Sequence, residues 1–200
     1  MKTLIKTVFA VTAIALAVTS CKKQNEGNES AGALKSAKST ASVTPVTSNT
    51  IYGHWGNPRG GSFGSIYLNL SQSASLDTAS ANDSRFDIVL TGTNNSFVEG
   101  VNGYTLEYIQ DPTLTFATIG IGTSGTVATT IGKSTTPLAT ANGWYAYVAP
   151  NGNTLAADFY IIARSNDTRP DYALKFTSII GEGTATLNRG KYVIQYGEIL

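Results

Sequence analysis

Past residue 51 the chain alternates apolar and polar side chains in run after run, and this period of two constrains its fold more than any other feature. In Arg85-Phe86-Asp87-Ile88-Val89-Leu90, Phe86, Ile88 and Leu90 share one face, and Ser65-Ile66-Tyr67-Leu68-Asn69-Leu70 alternates in the same way. Successive residues of an extended strand point to opposite faces, so such a run buries one face and leaves the other wet. Further runs rich in β-branched and aromatic residues span Tyr104–Ile109, Leu114–Ile121, Thr126–Ile131, Trp144–Ala149, Asp158–Arg164, Tyr172–Ile180 and Lys191–Tyr196. Turn residues separate them, and Pro150-Asn151-Gly152-Asn153 contains the Asn-Gly pair that favours a hairpin turn. No run has the period of an amphipathic helix, although Leu76–Ala81 has room for one short helical turn. The pattern predicts an all-β, mostly antiparallel domain over 51–200, either a sandwich or an irregular barrel.

Such a domain must stand without disulfides. Cys21 is the only cysteine, and it closes the apolar run Leu16-Ala17-Val18-Thr19-Ser20-Cys21. Lys2 and Lys6 give a positive start, and Val8–Val18 is shorter than the roughly 20 apolar residues that span a bilayer. This looks like the signal peptide and lipobox of a bacterial lipoprotein, with residues 1–20 removed and Cys21 lipidated. One acyl chain holds weakly and two or more anchor stably. The thiol is then used up, and the fold depends on its hydrophobic core.

Residues 21–50 cannot supply that core. Lys22 to Ser30 is polar throughout, and Ala31 to Asn49 is rich in Ala, Ser, Thr and Lys. Such a segment buries too little apolar surface to offset its ordering entropy, so it is predicted to be a disordered tether, about 100 Å long if fully extended. The remaining residues amount to one domain. From residue 51 on there are eight Lys/Arg against eleven Asp/Glu, scattered along the chain, so no basic stripe points to nucleic acid.

Few residues carry an obvious chemistry. Gly120-Ile121-Gly122-Thr123-Ser124-Gly125 matches the dinucleotide fingerprint in letters, but a strand-forming run follows where a helix N-terminus is required. His54, the only histidine, is a candidate ligand or base as well as an ordinary surface residue. No set of Cys and His fits a structural zinc, and the carboxylates Glu99 and Glu107 lack a supporting pattern. The chain is therefore not read as an enzyme, and no metal is assigned. Asp77-Thr78-Ala79 fits a short Asp-Thr-small pattern, which makes Thr78 a candidate O-glycosylation site, with a plain loop as the competing reading. Tyr145 and Tyr147 share one face of a strand and Trp144 the other. Exposed tyrosines suit a binding surface, and they also occur as plain cross-strand pairs.

The order of several motifs resembles the HmuY-like haem-binding lipoproteins of Bacteroidota. The similarity is carried by Gly143-Trp144-Tyr145-Ala146-Tyr147, by Phe159 to Arg164 with the polar turn Ser165-Asn166-Asp167, by Tyr172-Ala173-Leu174-Lys175-Phe176-Thr177-Ser178, and by the closing Tyr192 to Tyr196. Phe86-Asp87-Ile88 and Gly103-Tyr104-Thr105 also recur in order. The resemblance implies a β fold with a ligand cleft between loops and haem held by two His or Met side chains. It also implies an outer-membrane anchor, facing the cell surface rather than the periplasm, and delivery of haem from host haemoproteins to a TonB-dependent receptor for iron uptake. The short Glu26 and Glu29 pair is a thin version of the acidic cluster that sends some such lipoproteins to the surface.

The chain departs from that family at the iron. Val148 to Gly152 and Gly120 to Thr126 contain neither His nor Met, so ligation at the family positions is impossible. His54, Tyr145 and Tyr147 remain as candidate cofactor ligands, with Tyr108 a further phenol. Two readings follow. One is a binding lipoprotein for haem or another apolar or porphyrin-type ligand. The other is a surface structural or receptor-accessory lipoprotein with no small-molecule site.

Overall fold

The computed structural model describes residues 42–71, 76–134, 143–148 and 152–200; the predicted leader, Cys21 and most of the predicted tether lie outside them. Thirteen strands are described: β1 (Val43–Tyr52), β2 (Ile66–Asn69), β3 (Asp77–Ala79), β4 (Ile88–Thr91), β5 (Phe97–Gly100), β6 (Tyr104–Gln110), β7 (Thr126–Ala128), β8 (Gly132–Ser134), β9 (Gly143–Val148), β10 (Gly152–Leu155), β11 (Phe159–Ser165), β12 (Tyr172–Gly183) and β13 (Asn188–Ile199). They form a six-stranded sheet in the order β1-β13-β12-β11-β6-β7, a four-stranded sheet β3-β2-β4-β5 and a three-stranded sheet β10-β9-β8. Every pairing is antiparallel except β8 with β9. The sheets do not close into a barrel, so of the two predicted architectures the fold is the sandwich.

The alternation seen in the sequence sets the layers. Ile51, Leu106, Ile161, Leu174, Ile194 and Tyr196 of the large sheet pack against Leu68, Ile88, Leu90 and Val98 of the four-stranded sheet, with Trp144 of β9 in the same cluster. The strand β11 is buried on both sides, because Tyr160 and Ile162 face a second cluster with Val43, Ala173 and Ile199. Leu114 and Phe116 cover that second face.

This cover is a correction to the sequence reading, which took Leu114–Ile121 for a strand. The segment is a series of turns. Asp111 Oδ1 accepts the Thr113 amide at 2.8 Å, and Thr115 and Thr118 bond each other's backbone and hydroxyl groups. Short polar side chains that bind nearby backbone compete with a sheet ladder. The apolar side chains still pack, but as a lid over Tyr160.

Two further elements differ. Leu76–Ala81 holds the short strand β3 rather than a helical turn, because Tyr67, Leu68 and Asn69 supply its pairing partners. The large sheet also begins at Val43 and not at residue 51, since Thr47 to Tyr52 pair in register with Tyr196 to Lys191. β-branched Val and Thr fit an edge strand that has a partner, however little they bury alone.

Candidate ligand-binding cleft

A tight turn at Thr93–Ser96 organises the centre of the molecule. Asn94 and Asn95 adopt φ of 59° and 55°, a region that Asn tolerates better than most residues. The turn then presents its groups to three side chains distant in sequence. The Ser96 carbonyl accepts Trp144 Nε1 at 2.8 Å, Ser96 Oγ accepts the Tyr145 hydroxyl at 2.8 Å, and the Asn94 carbonyl accepts the Tyr192 hydroxyl. Buried Asn95 accepts the His54 amide at 2.8 Å and donates to Gly64 and Leu90 carbonyls.

Beside this turn lies a cleft of about 610 Å³, within the range of small-molecule sites. Thr93, Asn94 and Phe97 form one wall, and Lys133, Tyr145, Tyr147 and Asn153 of the three-stranded sheet form another. The tip of the β12–β13 hairpin, with Gly183 and Asn188, and the Pro58-Arg59 loop complete it. Gly132 lies so close to the Phe97 ring that any side chain there would collide with it. Gly183, at φ 102°, sits where a Cβ would meet both Leu187 backbone and the Trp55 ring, so glycine fixes the hairpin tip.

The charges in the cleft are unusual for this domain. Arg85, Arg164, Arg169, Lys175 and Arg189 each pair with at least one carboxylate. Arg59, Lys133 and Lys191 have no carboxylate partner among the described residues, and Arg59 and Lys133 both line the cleft. Its one carboxylate, Glu182, is held by Arg189 at 2.8 Å. The Lys133 ammonium lies 5.9 Å from the centre of the Tyr147 ring, which is 50% exposed. Two acceptors of the wall, Asn94 Oδ1 and Asn188 Oδ1, are buried without a donor among the described residues, a rare condition for buried polar atoms.

Of the residues singled out in the sequence, the structure brings Tyr145 and Tyr147 together on this cleft. They are not equivalent. Tyr145 is buried, its hydroxyl is engaged by Ser96, and burial raises its pKa, which keeps the phenol protonated. His54 is not among the cleft residues; its Nε2 lies 3.3 Å from the Ser65 carbonyl oxygen and 3.5 Å from Ser80 Oγ. Tyr108 stacks on Phe159 at 5.7 Å beside a different, shallower hollow. Thr78 is exposed on the edge strand β3, next to Asp77, which Arg85 bridges at 3.0 Å. The Gly120–Gly125 segment is a turn leading into β7, and its Gly125 amide is taken by Glu107 at 2.9 Å. Arg164 of the polar-turn motif is structural, pairing with Asp171 at 2.8 Å and bonding the Thr123 carbonyl. Lipidation of Cys21 falls outside the described residues.

Sequence reasoning missed the Thr93–Ser96 turn and the cations Arg59 and Lys133. The Gly92-Thr93-Asn94-Asn95 string carried a turn signal, but nothing local shows that a lysine lacks a carboxylate. Among the described residues there is no group of three or more His, Cys, Asp or Glu that could hold a metal, and no helix long and apolar enough to cross a membrane. Comparison with family models, curated proteins and solved structures returned no match to this chain.

Proposed function

We propose that this chain is a lipid-anchored binding protein of the bacterial envelope, which captures a small anionic ligand in the inter-sheet cleft and passes it to a membrane receptor. The observation that carries the reading is the cleft's unbalanced charge: Arg59 and Lys133 face it unpaired, beside the exposed ring of Tyr147. Charge-assisted bonds to a carboxylate are the strong ones, and an aromatic face supplies the apolar contact. The lipobox at Cys21 and the resemblance to HmuY-like lipoproteins support the anchor and the receptor.

The resemblance also supplies a first ligand class, haem or another porphyrin with carboxylate side chains. With neither His nor Met at the family positions, a porphyrin in this cleft would be held by its acid groups rather than by two side chains on iron. Titration with haemin and with metal-free protoporphyrin, followed at the Soret band, tests this. A porphyrin held in this way would show similar affinities with and without iron, unchanged in His54→Ala and weakened about tenfold in Lys133→Gln. Binding that depends on His54, or that ignores Lys133, overturns the cleft as the site.

A second reading, a receptor-accessory lipoprotein without a small-molecule site, rests on a separate surface. Exposed Tyr52 and Trp55 each lie 4.7 Å from the Arg189 guanidinium, with exposed Ile180 and Leu187 on the same hairpin. Tyr, Trp and Arg dominate protein-interface energetics. Loss of receptor co-purification in Tyr52→Ala/Trp55→Ala, with cleft binding intact, would mark this surface as the receptor contact.

A further inference from the structure

We infer that the ligand of the cleft is an acidic saccharide: a hydroxyl-rich ring that carries a carboxylate. The inference rests on the cleft reading above and adds the chemistry of the ligand's body.

Two features of the walls separate a sugar from a porphyrin, and a third separates an acidic sugar from a neutral one. The first is polarity. A porphyrin face asks for a broad apolar sheath, while this cleft offers one exposed aromatic ring, Tyr147, against Thr93, Asn153 and Thr184. One tyrosine face is the size of one pyranose, whose axial C–H groups stack on it while its hydroxyls stay free to bond. The second is the pair of orphaned acceptors, Asn94 Oδ1 and Asn188 Oδ1. An unmade hydrogen bond at a buried acceptor is costly. Carboxamide rotation toward a ligand O–H satisfies Asn94, whereas Asn188 is held by its Nδ2 bond to the Thr184 carbonyl at 3.1 Å; a porphyrin ring has no hydroxyls to offer. The third is charge. Arg59 and Lys133 remain uncompensated in a domain where the other cleft-wall charge, Glu182, is neutralised by Arg189. A neutral sugar makes no charge-assisted bond to either cation, and a uronic acid does.

The experiment uses the purified full chain in detergent, with trigalacturonate and its fully methyl-esterified form as probes. Calorimetry gives affinity, and amide NMR shifts locate the site. Trigalacturonate is expected to shift Lys133, Tyr147 and Asn153. The ester, which keeps the rings and loses the charges, is expected to bind at least about tenfold more weakly. Arg59→Gln and Lys133→Gln are each expected to weaken the acid by about tenfold, and added salt to weaken it further. All three cleft side chains to be altered, including Tyr147→Ala, are solvent-exposed, and an unchanged urea midpoint confirms that each variant folds.

The failures are distinguishable. Equal affinity for acid and ester, with shifts in the same cleft, removes the acidic class and leaves the cleft reading intact. No cleft shift with trigalacturonate at about 10 mM, with protoporphyrin shifting the same residues, removes the saccharide and leaves the cleft. If neither probe moves the cleft residues, both readings fall.

Discussion

Asp87 shows how one side chain can tie stability to pH. It is 4% exposed, its Oδ2 accepts the Leu70 amide at 2.6 Å, and Arg169 stands 4.0 Å away. Burial raises its pKa above the ordinary carboxylate value, and the Leu70 bond and Arg169 only partly offset this. Between the unfolded pKa, about 4, and the raised folded value, the folded chain holds a proton that the unfolded chain has lost. Stability therefore falls as pH rises through that window, the opposite sign to a salt-bridged aspartate. The urea midpoint of the wild type is expected to decline relative to Asp87→Asn between pH 4 and pH 7; a constant difference would reject the assignment. Trp144 acts through packing instead. It is 2% exposed, stacks on Phe176 at 3.9 Å and meets Tyr192 edge-on at 5.6 Å. Trp144→Ala is expected to cost about 3–5 kcal/mol in urea unfolding. Its surroundings were not legible: alternation set it opposite Tyr145, yet the two rings lie 4.5 Å apart in one cluster and both reach Ser96. The carbonyl it bonds lies in a turn whose shape depends on two asparagines at positive φ.

At the scale of elements, legibility followed the partner. β6, β12 and β13 were readable because each carries its own apolar alternation, strong enough to fix which face is buried, and β11 because its continuous apolar run suits a strand buried on both faces. β1 was not. Its outward positions mix Thr44, Ser48 and Thr50 with exposed Val46 and Tyr52, only Val43 and Ile51 are buried, and its strand character comes from β13 beside it. Leu114–Ile121 failed in the other direction, with strand-like letters whose threonines close local turns. The β1 assignment predicts that a chain beginning at residue 51 leaves β13 as an unpaired edge and exposes the cluster that Val43 covers. Compared with a chain beginning at residue 42, it is expected to lose at least about 2 kcal/mol, roughly the burial of one valine before any ladder bonds are counted. Equal urea midpoints would return Val43–Thr50 to the tether.

At the scale of the whole molecule, the proposal joins an address to a binding scaffold. The proposed address rests on local sequence features, a charged start, a short apolar run and a cysteine, all of them outside the described residues. The cleft was only half legible: its tyrosines could be placed on one strand face, while its charge depends on which cations find carboxylates in three dimensions. The proposed anchor has a direct consequence. A domain whose apolar faces are covered on both sides of its large sheet has little reason to partition into a membrane by itself, so the proposal makes Cys21 the sole source of membrane affinity. Cys21→Ser is then expected to move the chain from the detergent phase to the aqueous phase on detergent-phase separation, and to remove the acyl mass from the N-terminal peptide. Since each buried CH₂ contributes about 0.8 kcal/mol, two or more acyl chains outweigh any surface contact the domain makes, and the shift should be nearly complete rather than graded. Retention of Cys21→Ser in the detergent phase would mean that the β domain itself, through the exposed Tyr52 and Trp55 surface, holds the envelope.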